Sequence, residues 1–135
     1  KEGIAWAEFT AADSNEVQSV VTKAVGECDA LYIPTDNTIA NNTEIVKNVA
    51  VPAGIPVVTG EEGMCSGCGL ATLSISYYDL GVKAAEMAYE ILTNGADPAQ
   101  MAIGYVTDGI TEKYNADIAE ALNITIPEDM VAIEN

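Results

Sequence analysis

Short apolar runs alternating with helical spacings organise this chain. Ile4 to Phe9, with Trp6 at its centre, reads as a first strand. A helix follows: Asp13 and Glu16 have the capping-box spacing, Val17, Val20, Val21 and Ala24 fall on one face, and Gly26 supplies the stop. Asp29 to Ile33 is a second strand, and Thr38 to about Ala50 a second helix with Ile39, Val46, Val49 and Ala50 inward, ended by Pro52 and Gly54. Ile55 to Thr59 is a third strand, since Pro56 is tolerated near a strand's start and the β-branched residues after it suit a pleated surface.

Strand, helix, strand, helix, strand at this spacing predicts a βαβαβ arrangement, with parallel strands and right-handed crossovers. Gly60 to Gly69 reads as a glycine-rich loop and Leu70 to Ile75 as a fourth strand. Tyr77 to Thr93 is the longest helix, with Leu80, Ala84, Met87, Ala88, Ile91 and Leu92 assigned to one face and Asn94-Gly95 and Pro98 ending it. Beyond it, Ile103 to Val106 reads as a strand, Asn115 to Leu122 as a short helix capped by Asn115, and Ile124 to Ile126 as extended.

The strand Ala30-Leu31-Tyr32-Ile33 ends abruptly in Pro34-Thr35-Asp36-Asn37. Polar residues at the carboxyl end of a parallel strand occupy the place where ligands bind in open α/β sheets. The same residue types also cap helices, and spacing alone leaves both readings open. Two further clusters, Gly60-Glu61-Glu62-Gly63 and Ser74 to Ser76 leading into Tyr77-Tyr78, fall at the same edge of the sheet. That recurrence favours a binding site. Asp36 with Glu61 or Glu62, and no Arg or His nearby, suits an amine or hydroxyl on the ligand.

Composition narrows the classes. The 135 residues hold 21 Asp plus Glu against five Lys, with no Arg and no His, for a formal charge of -16. A phosphate-tracking nucleic-acid surface is excluded, and anionic substrates are disfavoured. Without His and Arg the chain lacks the commonest general base and metal ligand and the bidentate anion clamp. No run approaches the ~20 apolar residues of a membrane span. Cys65 and Cys68 have the spacing of a dithiol or half a zinc site, but only Cys28 remains as a third sulfur ligand, so no metal, cofactor or catalytic group is assigned. The sequons at Asn41 and Asn123 are read as chance. The start at Lys1-Glu2-Gly3 has neither an initiator Met nor a signal-type apolar segment, and reads as internal to a longer protein.

Four stretches, ALYIPTDNT (residues 30–38), IPVVTGEEGM (55–64), GLATLSISYYDLG (69–81) and ALNITIPE (121–128), together resemble the ABC-transporter substrate-binding proteins of the tryptophan/tyrosine type. The resemblance covers nearly the whole chain in order. It implies the type I periplasmic-binding-protein fold: two Rossmann-like lobes joined by three crossovers, closing on a ligand and presented to a permease. This chain then corresponds to the carboxyl-terminal portion. Residues 1–75 would be an incomplete second, ligand-binding lobe, and residues 76–135 the crossover, long helix and returning segments. By resemblance Thr35, Asp36, Asn37 and Glu61 are cleft residues and Ser76 lies at the crossover. Members of the family often carry Asp where Ser76 stands and usually lack cysteines at 65 and 68, so the CxxC is set apart from binding.

The sequence reading is thus a non-enzymatic solute-binding component of an ABC importer. It is extracytoplasmic (periplasmic or lipid-anchored), partnered by permease subunits, and takes an amine-bearing ligand; the aromatic amino acid rests on the resemblance alone. A homodimer of the isolated portion is expected from apolar faces left without cover. The alternatives are a regulator's ligand-sensing domain, which would share the fold, and a flavodoxin-like enzyme, for which no nucleophile, base or phosphate loop is found.

Overall fold

The computed structural model describes residues 3–107 and 109–134. In chain order the elements are α1 (Val17–Val25), β1 (Leu31–Ile33), α2 (Asn37–Ala40), α3 (Thr43–Ala50), β2 (Val57–Thr59), α4 (Glu62–Cys68), β3 (Ala71–Ser74), α5 (Tyr77–Asn94), a 3-10 turn at Pro98–Gln100, β4 (Thr111–Tyr114), α6 (Ala116–Ala121) and β5 (Val131–Ala132). The strands form one five-stranded sheet in the order β1-β2-β3-β4-β5. β1 and β2, β2 and β3, and β4 and β5 run parallel, with Leu31 opposite Val57, Thr59 opposite Thr72 and Lys113 opposite Val131. This is a mixed α/β fold with a mostly parallel sheet flanked by helices, as the sequence implied.

The chain separates into two compact units, one containing the residues up to Leu73 and those from Glu112 on, the other Ser74–Thr111. In the first, successive strands move across the sheet in one direction, so right-handed crossovers place α3 and α4 on the same face. α1 packs on α3 and α3 on α4. Beneath them Val17, Val21, Val46, Ala50, Val57 and Cys68 form the buried core, joined at its margin by Leu31, Ile33, Ile39 and Val49. The period of two decides the rest: Val57 and Thr59 are buried, while Val58, Tyr32 and Leu73 point to solvent from the other face. A second cluster, Leu70, Ile118 and Ala119, seats α6, with Tyr114, Leu122 and Ile126 against it.

Asn115 joins α6 to α4. Its Oδ1 accepts from the amides of Asp117 and Ile118, capping α6, and its Nδ2 donates to the carbonyls of Cys65 (3.2 Å) and Ser66 (2.9 Å) in α4. A fully used amide at a buried position fixes both helices to one point.

Several sequence expectations are corrected. Ile4–Phe9 forms no strand; Ile4 and Trp6 are exposed, and Lys23 Nζ lies 5.8 Å from the centre of the half-buried Phe9 ring. Apolar composition makes no strand without a ladder partner, and β1 pairs only with β2. The Asp13–Glu16 pair orders the turn before α1, with Glu16 accepting from Ala12 N and Asp13 from Asn15 N, so the helix itself begins at Val17. The helix expected from Thr38 to Ala50 breaks at Asn41-Asn42, where the Asn42 side chain donates to the Thr38 carbonyl at 2.7 Å and competes with the backbone ladder. Gly60–Gly69 is not a loop, since α4 occupies most of it. Its Gly67 lets α4 approach α3 so closely that a Cβ there would fall 2.4 Å from Thr43 Oγ1. No strand forms at Ile103–Val106; the strands after α5 are β4 and β5.

In the second unit α5 runs 18 residues to Gly95, whose φ of +69° is the left-handed stop that glycine favours. Leu80, Ala84, Met87 and Ile91 line a groove of about 450 Å³ closed from the other side by Pro98, Met101 and Ile103. Leu92 lies off that stripe and is 85% exposed, against its assignment to the same face. Twelve residues from Leu80 it is about a third of a turn away.

Candidate functional site

Two adjacent strands of the first unit end in capping turns. After β1 the chain passes through Pro34 and Thr35 to Asp36, extended at φ −142°, whose Oδ1 accepts from Ile39 N at 3.0 Å and starts α2. After β2 it passes through Gly60 to Glu61, extended at φ −159°, which starts α4; Glu61 Oε2 accepts from Gly63 N at 2.8 Å and Oε1 from Met64 N. Thr59 Oγ1 donates to the Glu61 carbonyl at 3.1 Å, fixing that turn from below.

The two turns are locked side by side. Gly60 N donates to the Ile33 carbonyl at 2.9 Å. A Cβ on Gly60 would stand 2.7 Å from both the amide nitrogen and the hydroxyl of Thr35, so the turns meet in a gap that only glycine leaves open. α2 packs on α4 as well. Thr35, Asp36, Asn37 and Glu61 are thereby gathered into one corner, with the first three exposed and Glu61 half-buried. Ser76 belongs to the second unit, where its Oγ caps α5 by accepting from Asp79 N at 3.1 Å.

Capping and gathering are therefore both realised. Asp36, Glu61 and Ser76 are each helix N-caps, the bland role that their residue types allow. Glu61 spends one oxygen on each of two amides, and its charge is further favoured by the amino end of α4. Asp36 spends only Oδ1 among the described residues. The next carboxylate, Glu62, pairs with Lys113 of β4 at 2.7 Å, with side chains 39% and 26% exposed. Gly60 and Lys113 had no functional signal in the sequence. Gly60 looked like loop punctuation, and nothing in a lone lysine names a partner 51 residues away.

The cysteines lie inside α4 rather than in a loop, and all three thiols are free. Cys65 Sγ donates to the Gly69 carbonyl and Cys68 Sγ to that of Met64. Burial pushes the Cys65 thiol up to about 11, with a hydrogen bond to Thr59 opposing and the charges of Glu62 and Glu61 adding. Burial likewise pushes Cys68 to about 12, reinforced by Cys65 and Glu61. Such thiols are poor nucleophiles and poor metal ligands near neutral pH. Among the described residues no three of His, Cys, Asp and Glu are grouped to hold a metal ion.

A profile of the family described as ABC transporter substrate binding protein matches residues 1–134. The chain belongs to this family. A relative is a tyrosine-binding protein of Clostridioides difficile strain R20291, 44% identical over 79 residues that make up 58% of this chain and 23% of that protein. Two solved structures of the same kind are similar in fold. One is a ligand-free, open substrate-binding protein with adhesive properties from Clostridium difficile, at 35% identity and a TM-score of 0.74, matched over 98% of this chain and 45% of that one. The other, from Streptococcus pneumonia, holds L-Trp, at 31% identity and a TM-score of 0.85, matched over 97% and 45%. The chain spans less than half the length of these members of the family.

Proposed function

We propose that this chain supplies part of the ligand site of an ABC importer's solute-binding component, taking a small amine-bearing ligand, an aromatic amino acid. The observation that carries the reading is Asp36: its position at the end of β1 is exposed, and one carboxylate oxygen is left over from capping. An ammonium group there gains a charge-assisted hydrogen bond. Thr35 and Asn37 flank it with groups that donate and accept, and Glu61 shapes the adjoining turn. The ligand's carboxylate would be met by backbone amides or by residues outside this chain, because the corner offers no arginine. The tyrosine-binding relative and the L-Trp complex support the aromatic choice.

In this reading the protein binds rather than catalyses, works outside the cytoplasm, and delivers its ligand to permease subunits. Residues 1–75 act as the ligand-binding lobe and 76–135 as the crossover and return, with Ser76 at the crossover. The exposed Tyr32, Val58 and Leu73 face supports self-association of the isolated chain, which light scattering at tens of micromolar would detect and a stable monomer would refute. Calorimetric titration of L-tryptophan, L-tyrosine and L-phenylalanine into the full-length protein tests the function. Asp36→Asn should weaken binding by about 1.5–3 kcal/mol, the worth of a charged hydrogen bond. An unchanged affinity with the fold intact removes Asp36 from the site.

A further inference from the structure

Toward their carboxyl ends β1, β2 and β3 stand in one row, with Ile33 opposite Thr59 and Thr59 opposite Thr72. The peptide group that links Thr59 to Gly60 is held at both of its polar ends along that row. Its carbonyl accepts from the Thr72 hydroxyl at 2.8 Å, and its N–H donates to the Ile33 carbonyl at 2.9 Å. The turn Pro34-Thr35-Asp36 begins at that Ile33 carbonyl. Hydrogen bonds thus run in one direction from β3 to β1, through hydroxyl, peptide and carbonyl, and bonds in such a train polarise and strengthen one another. Thr59 and Thr72 are 2% and 3% exposed. A buried hydroxyl is costly unless bonded, and valine would fill the same space with nothing to satisfy, so packing alone gives no reason for threonine at position 72.

We propose that Thr72 is a positioning residue for the ligand corner: by holding the peptide plane between Thr59 and Gly60 it sets how Gly60 meets Thr35, and so where Thr35 and Asp36 stand. This rests on the amine-binding reading above and deepens it, adding a residue two strands from β1 that acts through the turn rather than on the ligand. The tolerance is small, because Gly60 faces Thr35 across a gap with no room for a Cβ. Without the Thr72 hydroxyl the peptide plane is less restrained. A tilt that carries Gly60 toward Thr35 displaces the turn after β1, and a tilt away opens the corner to water. Thr59 Oγ1 separately holds the Glu61 carbonyl at 3.1 Å, and Glu61 keeps its two amides, so the cap of α4 survives and the effect falls on the contact between Gly60 and Thr35.

The test is calorimetric titration of the full-length protein and its variants with L-tryptophan, L-tyrosine and L-phenylalanine, alongside urea melts. Thr72→Val keeps the shape and loses the hydroxyl, whereas Thr72→Ser keeps the hydroxyl and loses a methyl group. Affinity should fall about three- to tenfold in Thr72→Val, the range that one buried hydrogen bond supports, and stay within about twofold of wild type in Thr72→Ser. A side chain that served stability alone would lower the urea midpoint and leave the affinity of the folded protein where it was. Gly60→Ala already displaces the turn, so adding Thr72→Val to it should cost less affinity than in the wild type. If Thr72→Val does not fold, Thr72→Ala set against Thr72→Ser makes the same comparison. An amino acid bound by wild type with its affinity unchanged in the variant lacking the hydroxyl, or an equal loss in Thr72→Ser, would overturn the role of Thr72 alone. None of the three amino acids binding to wild type would overturn the amine-binding reading and this one with it.

Discussion

The Cα of Gly60 is pressed against Thr35, so close that one added methyl group would stand 2.7 Å from both the amide nitrogen and the hydroxyl oxygen of Thr35. The neighbouring atom is backbone and cannot swing aside. Gly60→Ala should therefore push the two capping turns apart, costing about 1–3 kcal/mol as overpacking does. Denaturant melts would show the loss, and amino-acid affinity of the full-length protein should fall beyond what stability explains.

Gly67 makes the same kind of contact between helices. A methyl there meets Thr43 Oγ1 at 2.4 Å, its Cβ at 2.6 Å and its Cγ2 at 3.0 Å. Gly67→Ala should destabilise by about 1–3 kcal/mol despite alanine's better helix propensity. Thr43→Ala removes two of the three offending atoms, so the double variant should recover part of the loss, a non-additivity that a double-mutant cycle measures.

These contacts mark the boundary of what was legible. The strands at Leu31–Ile33 and Val57–Thr59, the long helix from Tyr77 and the cap at Asn115 each carried a local signal: β-branched runs beside turn residues, or helical spacing between a cap and a glycine. The gathering of Thr35, Asp36, Asn37 and Glu61 followed from parallel strands ending at one edge. Ile4–Phe9 misled because a strand is defined by its neighbour, which composition does not reveal. α4 was hidden because Gly63, Gly67 and Gly69 read as loop, whereas Gly67 and Gly69 are there for close approach to Thr43 and Thr59. β4 was missed because Thr111, Glu112 and Lys113 are three successive polar residues, without the apolar alternation that marks a strand, and the run is short.

Thiol chemistry should divide the cysteines. Cys65 and Cys68 are buried and hydrogen-bonded, while Cys28 is half-buried. One equivalent of a thiol reagent should react with the native chain at pH 8, and three after denaturation. Native reaction of all three would show α4 opening readily.

The same two thiols impose a pH dependence. Their folded values, about 11 and about 12, lie above the ordinary 9.0, so the folded state holds protons that the unfolded chain releases. The stability they contribute is complete below pH 9 and is lost as pH rises toward 11 and 12. Urea midpoints should fall with pH across that window in the wild type and less steeply in Cys65→Ala/Cys68→Ala. An equal slope in both would assign the loss to other groups.

Asn115→Ala removes a cap from α6 and two donors to α4 at a buried position. The expected cost is about 1–3 kcal/mol. Asn115→Asp keeps the cap but turns the donors into an acceptor facing the carbonyls of Cys65 and Ser66, so it should be at least as damaging, which chemical denaturation decides.

The chain has a single tryptophan, and it sits on the unpaired segment before α1 with 82% of its surface in water. Its indole is a lamp placed outside the house: the emission of the folded chain should match that of free indole in buffer, and neutral acrylamide should quench it almost without hindrance. Unfolding of the α/β core would then pass unseen in tryptophan fluorescence, and a flat trace would be the signature of where Trp6 lies rather than of a chain that never folded. Should the emission instead shift to the blue when other polypeptide is added, that colour change would mark the moment the segment acquires a neighbour.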